Sequence, residues 1–359
     1  MDEDRSGIPA PSPASNAGTV NWLGSTREID EIDRRIIVAL QQDGRASWTA
    51  IAEFAGAPAS TVSRRGQQLI SDGIVRVGMV PTLGSEGHAE SFLIRINCAP
   101  GTQMYVAEKL VESPYVRFVT LVTGKFDIFA EVVISGDSGV YAHVLTELQS
   151  IEGVAQWSSD LLLHTYKVSF DWGRQVYDAE ARPDHPEAYM PAPNTCEPAH
   201  FDDTDREIVR ELSADGRKSF QAIAKTLGVN ESSVRRRYER MHSSGCLTTV
   251  TMVPASALGM SAETLLVLNI DPARLRDVSE RLAALVSVRF LAAPLDNNSL
   301  YCEVILPSTE SLHEFMIDTI AQIEGVRGWT ASMELVFMKR GFIETPWWKS
   351  QVLGTAANA

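Results

Sequence analysis

The chain has 359 residues, 44% of them hydrophobic and 22% charged, with a formal net charge of −14. That length exceeds one ordinary core and predicts two or more domains, and the composition excludes a disordered protein. The acidic balance argues against nucleic acid coating the whole surface but not against a local DNA-binding patch, and no apolar run approaches a bilayer span, so no membrane partner is expected.

The N-terminus, MDEDRSGIPAPSPASNAG, lacks the basic and apolar regions of a secretory signal. Its prolines and small residues predict a disordered tail over 1–27. Cys98, Cys196, Cys246 and Cys302 are scattered without metal-ligand spacing, which fits free thiols in a reducing cytosol. HExxH, Walker, GxGxxG and GxSxG motifs are all missing, so no metal, cofactor or catalytic residue is expected.

From Glu31 to Gln41, Ile32, Ile36, Ile37 and Leu40 share one helical face. Asp43-Gly44-Arg45 ends that helix in a turn, and Ser47 stands as the N-cap of WTAIAEFAG. After the break at Gly56-Ala57-Pro58, Ser60 begins a third helix, STVSRRGQQLISDG, which Gly73 closes. Three short helices with a tight turn before the third describe a helix-turn-helix. GIVRVGMVPTL then reads as a short β-like pair forming a wing. On a wheel, Val62, Gly66 and Leu69 share the buried face of the third helix, and Ser60, Arg64, Gln67 and Gln68 lie opposite with Thr61 beside them. Gly66 costs a helix interior about 1 kcal/mol relative to Ala. Either the module is less stable for it, or its backbone packs unusually close to a neighbour.

Beyond the helices, ESFLIRINC alternates like a strand and GTQMYVAEKLVES has helical spacing. YVRFVTLVTG and DIFAEVVI are strands around a tight connection. A helix over 139–151 turns Val140, Val144, Leu148 and Ile151 inward, and VAQWSSDLLLHTYK closes as a strand. The order βαββαβ is a ferredoxin-like domain.

The phrase IEGV at Ile151–Val154 recurs at Ile323–Val326, 172 residues on. The same offset carries Asp33 to Asp205, Arg64-Arg65 to Arg236-Arg237, Gly73 to Gly245, Glu131 to Glu303 and Lys167 to Lys339. One unit of about 140 residues is therefore duplicated in tandem, unlike a short-period solenoid. The predicted fold is α+β: a tandem repeat of a winged helix-turn-helix plus a ferredoxin-like domain. The boundaries are helix-turn-helix 28–82, sheet domain 88–170, a proline-rich linker 171–200, helix-turn-helix 201–255, sheet domain 262–341 and a C-terminal tail 342–359. In that tail Trp347 and Trp348 cover either an apolar patch or a partner chain.

In the second module Val234, Tyr238 and Met241 form the buried face of the third helix, with Ser232, Arg236, Glu239 and Arg240 on the open one. Residues 31–80 hold six basic and five acidic side chains, and 203–250 hold nine and seven, so the acidic excess lies outside both modules. The candidate DNA contacts are Ser60, Thr61, Arg64, Arg65 and Gln68 in copy one, and Ser232, Ser233, Arg236, Arg237 and Arg240 in copy two. Arginine suits guanine edges and phosphates, and the hydroxyl and amide groups suit bases or backbone.

The acidic-flanked D-x-x-I/L-x-x-L helix, STVSRR before a terminal DG-I-V, the TGKFDIFAEV hairpin and SIEGV together resemble the Lrp/AsnC (leucine-responsive, feast–famine) family of transcription regulators. The resemblance covers about 280 of the 359 residues, in two copies. It implies a sequence-specific regulator of double-stranded DNA, cytoplasmic and modulated by a small metabolite, an amino acid or derivative. Since members pair through their sheet domains and assemble further, the chain is expected to be a fused dimer that forms a homo-oligomer, a dimer or tetramer of fused pseudo-dimers. A two-fold pair of helices reads half-sites roughly 34 Å apart, and fusion raises the effective concentration of the second module.

The family's effector sits near the connection between the second and third strands, here Thr123, Gly124 and Asp127. Glycine exposes backbone N–H groups to a carboxylate, and aspartate accepts from an ammonium; the same residues equally shape a hairpin turn. Copy two departs from the pattern with Asp296 and Ser299, which predicts that copy one senses a ligand while copy two is structural or senses something else. Two other functions fit the fold: an enzyme similar to the sirohaem decarboxylases, although His88, His143 and His164 have no counterparts in copy two, and a metabolite-sensing scaffold without DNA binding.

Overall fold

The computed structural model describes residues 19–22, 25–82, 89–177, 201–296, 298–349 and 351, the first few (19–22 and 25–27) as backbone only. β1 (Thr19–Trp22) pairs antiparallel with β2 (Ser25–Glu28), so part of the segment expected as a tail is a hairpin. α1 (Glu31–Gln42), α2 (Trp48–Ala55) and α3 (Ala59–Ser71) form the first helix-turn-helix. Asp30 caps α1 by accepting from the Asp33 N–H, and Ser47 caps α2. Ile36, Ile37, Leu40, Val62 and Leu69 are buried, the faces that periodicity selects.

β3 (Arg76–Pro81) differs from the expected local pair. It is a single strand, and its partner is its counterpart in the other module. The sheet domain follows with β4 (Ala89–Cys98), α4 (Gln103–Glu112), β5 (Val116–Val122), β6 (Ile128–Ser135), α5 (Ser138–Gln149) and β7 (Val154–Val168). Val140 is exposed where the wheel turns it inward. It stands in the first turn of α5, beside the turn at Gly136, before the helix has reached the sheet.

The second copy repeats the plan with α6 (Asp203–Ala214), α7 (Phe220–Leu227), α8 (Glu231–Ser243), β8 (Leu247–Met252), β9 (Ala262–Ile270), α9 (Leu275–Ala283), β10 (Val288–Pro294), β11 (Ser299–Leu306), α10 (Thr309–Glu314) and β12 (Val326–Arg340). The helix begun by α10 loosens into a π turn over Phe315–Thr319 before β12. IEGV is the turn into the last strand in both copies. Gly153 and Gly325 have φ of 97° and 105°, and a Cβ there would lie 2.7 Å from Thr102 and 2.5 Å from Arg274.

β3 and β8 pair antiparallel, Arg76 opposite Met252 through Pro81 opposite Leu247, and join the two helical modules back to back. The sheet domains are joined through their fourth strands. β7 and β12 are 15 residues each, longer than their first-strand partners. β7 pairs with β4 up to Leu161 and continues along β10; β12 pairs with β9 up to Met333 and continues along β5. The eight strands therefore close on themselves, and β5 and β10 are not left as edges. Helices cover the outside, and Leu93, Phe129, Leu162, Leu265 and Tyr301 fill the space between the two sheets.

The segments leaving the two long strands fold back on the helical modules. A 3₁₀ turn at Trp172–Val176 buries Trp172 in the first module's core, where the sequence reads as linker; the remainder of that linker lies outside the described residues. After the short strand β13 (Ile343–Glu344), Trp347 and Trp348 are both 4% exposed, the former in the core of the first module and the latter against the first sheet domain. They cover a patch of their own chain.

Candidate functional site

α3 and α8 are the third helices of the two modules. Neither has a side-chain N-cap; in α8 the Ser233 N–H turns back to the Asn230 carbonyl, and no side chain of the cap residue takes the N–H groups before it, which suits an outside acceptor such as a phosphate. Ser60, Arg64 and Gln68 are exposed on α3, as are Ser232, Arg236 and Arg240 on α8, while Thr61 and Ser233 are half-buried. Among the described residues neither Arg64 nor Arg236 has a hydrogen bond or ion pair.

Arg65 and Arg237, one position on, are placed differently. Arg65 bonds Asp30 at 2.7 Å and Asp33 at 3.2 Å; Arg237 bonds Asp202 at 2.7 Å and Asp205 at 2.9 Å. Each guanidinium thus ties the third helix to the cap and first turn of the first helix in its own module. The Asp205 N–H and Arg237 hold the Asp202 carboxyl below its usual range. Arg240 also reaches Asp205, at 2.6 Å, but keeps half its side chain in solvent. The wheel separates solvent from core; it does not tell a free arginine from one that bends sideways to the neighbouring helix.

Gly66 has a plain cause. A Cβ there would run into the indole of Trp48, 2.3 Å from its nearest ring carbon. Copy two fills the equivalent space with Phe220 and Tyr238, whose ring centroids are 5.0 Å apart. One indole over a glycine in copy one stands where two rings share the space in copy two.

The hairpin between β5 and β6 lies against the other copy. Thr123 donates its N–H to the Met333 carbonyl at 2.9 Å and accepts from the Met333 N–H at 3.0 Å. Gly124, at φ 103°, faces Ser332. Asp127 accepts from the Cys98 N–H at 2.7 Å through one carboxylate oxygen. Thr123 and Gly124 are exposed and Asp127 is half-buried. In copy two, Asp296 accepts from the Asn298 and Ser299 N–H groups and from the Ser299 hydroxyl, so that turn satisfies itself.

Two winged helix-turn-helix modules carried on a closed pair of ferredoxin-like sheets define a transcription regulator with a ligand-binding half. The AsnC-type helix-turn-helix domain family matches residues 29–70 and 201–242, and the Lrp/AsnC ligand binding domain family matches 91–171. An uncharacterised HTH-type transcriptional regulator of Pyrococcus furiosus is 30% identical over 143 residues, 40% of this chain and 97% of the relative. The HTH-type transcriptional regulator Ptr1 of Methanocaldococcus jannaschii is 29% identical over 142 residues, 39% of this chain and 96% of its own. The chain belongs to the Lrp/AsnC family. Among solved structures, the siroheme decarboxylase NirDL superposes with a TM-score of 0.56 over 92% of this chain and 98% of that one, at 14% identity, a likeness of fold alone.

Proposed function

We propose that the protein is a sequence-specific regulator that binds double-stranded DNA through α3 and α8 and responds to an amino acid or a derivative, in the cytoplasm. One observation carries the DNA reading: Arg64 and Arg236, equivalent residues on two capless helices, are exposed and unpartnered among the described residues. With them we place Ser60, Thr61, Gln68, Ser232, Ser233 and Arg240 at the DNA. Arg65 and Arg237 hold the helices in place. The hairpin at Thr123, Gly124 and Asp127 supports an effector site in copy one, because Gly124 is exposed and the second Asp127 oxygen accepts no hydrogen bond among the described residues, whereas the Asp296 turn is closed on itself. Leu163 and Leu335, equivalent residues 54% and 53% exposed, support association of the chain with further copies.

The test is fluorescence anisotropy with DNA upstream of the protein's own gene at several salt concentrations. Arg64→Ala and Arg236→Ala each reduce the salt slope by about 1 and leave thermal stability unchanged. Arg65→Ala lowers stability by about 1–3 kcal/mol, since it strips the half of an ion pair that faces the buried Asp33. If the Arg64/Arg236 double variant binds as the parent does, the reading fails. For the effector, calorimetry with amino acids on Gly124→Asp must show lost binding; unchanged binding removes the hairpin site. The sirohaem-decarboxylase reading is disfavoured because His143 and His164 are exposed and no histidine lines the cavity between the sheets among the described residues; His88 lies outside them.

A further inference from the structure

The space between the two sheets is apolar along most of its length, but it turns charged at the end from which β7 and β12 leave for the helical modules. There a small cavity, with about 50 Å³ open to a water-sized molecule, is walled by Leu93, Phe118, Phe129, Leu265 and Phe290 and reached by Ser169 and Gly341, the residues just past the two long strands. Arg117 pairs with Glu131 at 2.9 Å. Their counterparts Arg289 and Glu303 pair likewise; Arg289 also holds Glu263 at 3.2 Å, and Arg340 holds Glu303 at 3.1 Å.

Glu334 is left over. Its side chain is 0% exposed and lines the cavity, yet neither carboxylate oxygen accepts a hydrogen bond. The nearest cation, Arg289, stands 3.8 Å away and is already engaged with Glu303 and Glu263. The fold does not require an acid at this register, because copy one has Leu162 there. Nor does Glu334 complete an ion pair with Arg340, which turns to Glu303 instead. Counting the charges around it, Arg289 and Arg340 face Glu263, Glu303 and Glu334, so the cluster lacks one positive charge. Burial accordingly holds the Glu334 carboxyl well above the usual range against the pull of Arg289 and Arg340.

We propose that this cavity is a binding site for a small organic monocation, an amine on an aromatic or branched aliphatic body, whose ammonium group donates to Glu334 while the body lies against the phenylalanines and leucines. The site is separate from the Thr123–Asp127 hairpin and does not depend on DNA binding. Only copy two supplies the carboxylate, so the fused chain holds one such site. Its floor leads through Ser169 and Phe170 to Trp172 in the core of the first helical module, so an occupant touches the segment that joins sensor to DNA reader.

Isothermal titration calorimetry of the full chain with phenethylamine, and with 2-phenylethanol as its neutral counterpart, tests the site. The parent protein is expected to bind the amine saturably at one site per chain and at least tenfold more tightly than the alcohol. Glu334→Gln loses that tenfold preference, and so does Glu334→Leu, which copies the residue of the first unit and serves if the amide variant folds poorly. Leu93→Trp, confirmed as folded by near-ultraviolet circular dichroism, fills the cavity and blocks the amine without touching the charge. The proposal is overturned if phenethylamine does not saturate, if the alcohol binds equally well, or if both Glu334 variants keep the parent's preference.

Discussion

Arg45 and Arg217, equivalent residues in the two copies, exchange places across the pseudo-two-fold axis. Arg217 donates to the Gly44 carbonyl at 2.5 Å and the Ala46 carbonyl at 2.9 Å and lies over Trp48, 4.2 Å from the ring centroid. Arg45 donates to the Gly216 carbonyl and lies over Phe220 at 4.7 Å. Each arginine thus binds the turn that starts the other module's second helix, fixing the mutual orientation of α3 and α8 together with the β3–β8 ladder.

Removing both arginines therefore separates orientation from contact. Arg45→Ala/Arg217→Ala is expected to keep its helix content but to lose about tenfold in affinity for DNA with two half-sites, roughly the 1.4 kcal/mol of a tenfold change. Its affinity for a single half-site stays within twofold of the parent. Anisotropy with the two DNAs decides this; equal losses on both would mean that the arginines only stabilise the fold.

Gly66→Ala is expected to destabilise the protein by about 1–3 kcal/mol, the usual range for overpacking, because the new methyl enters the space of the Trp48 ring. Adding Trp48→Phe should return most of that loss, since copy two already packs a phenylalanine there. Urea melts of the single and double variants measure the recovery, and the absence of any rescue would show that the clash is not with Trp48.

Lys167 and Lys339 are buried at equivalent positions, and each caps a helix of the other copy. Lys167 donates to the Leu285 carbonyl just past α9, and Lys339 to the Val111 and Ser113 carbonyls at the end of α4. Burial lowers both ammonium groups to about 8, against the attraction of Asp171 and Cys302 on the first and Glu344 on the second. With the folded value below the unfolded 10.5, the unfolded chain binds more protons between pH 8 and 10.5, so these lysines favour folding increasingly as pH rises through that window. The melting temperature of the parent should climb relative to Lys167→Met/Lys339→Met from pH 8 to 10.5. Parallel curves would show that the lysines stay charged in the fold.

The local structure was legible because it rests on short-range rules. The 3.6-residue stripe of Ile36, Ile37 and Leu40, the caps at Asp30 and Ser47, and the alternation in ESFLIRINC are all written within a dozen residues. The 172-residue offset gave the tandem architecture without any contact being known, and a visible but unread signal was Glu131 and Glu303 standing in otherwise apolar strands. What only the tertiary structure decided is partnership. Whether Arg64 or its neighbour Arg65 faces solvent depends on Asp30 and Asp33, which lie on another helix. The reason for Gly66 is an indole eighteen positions earlier, β3 pairs with a strand in the other copy, and Glu334 accepts no hydrogen bond because Arg289 and Arg340 are engaged elsewhere. Periodicity encodes which face of an element is buried; which group meets which across that face is set when the two copies close on each other.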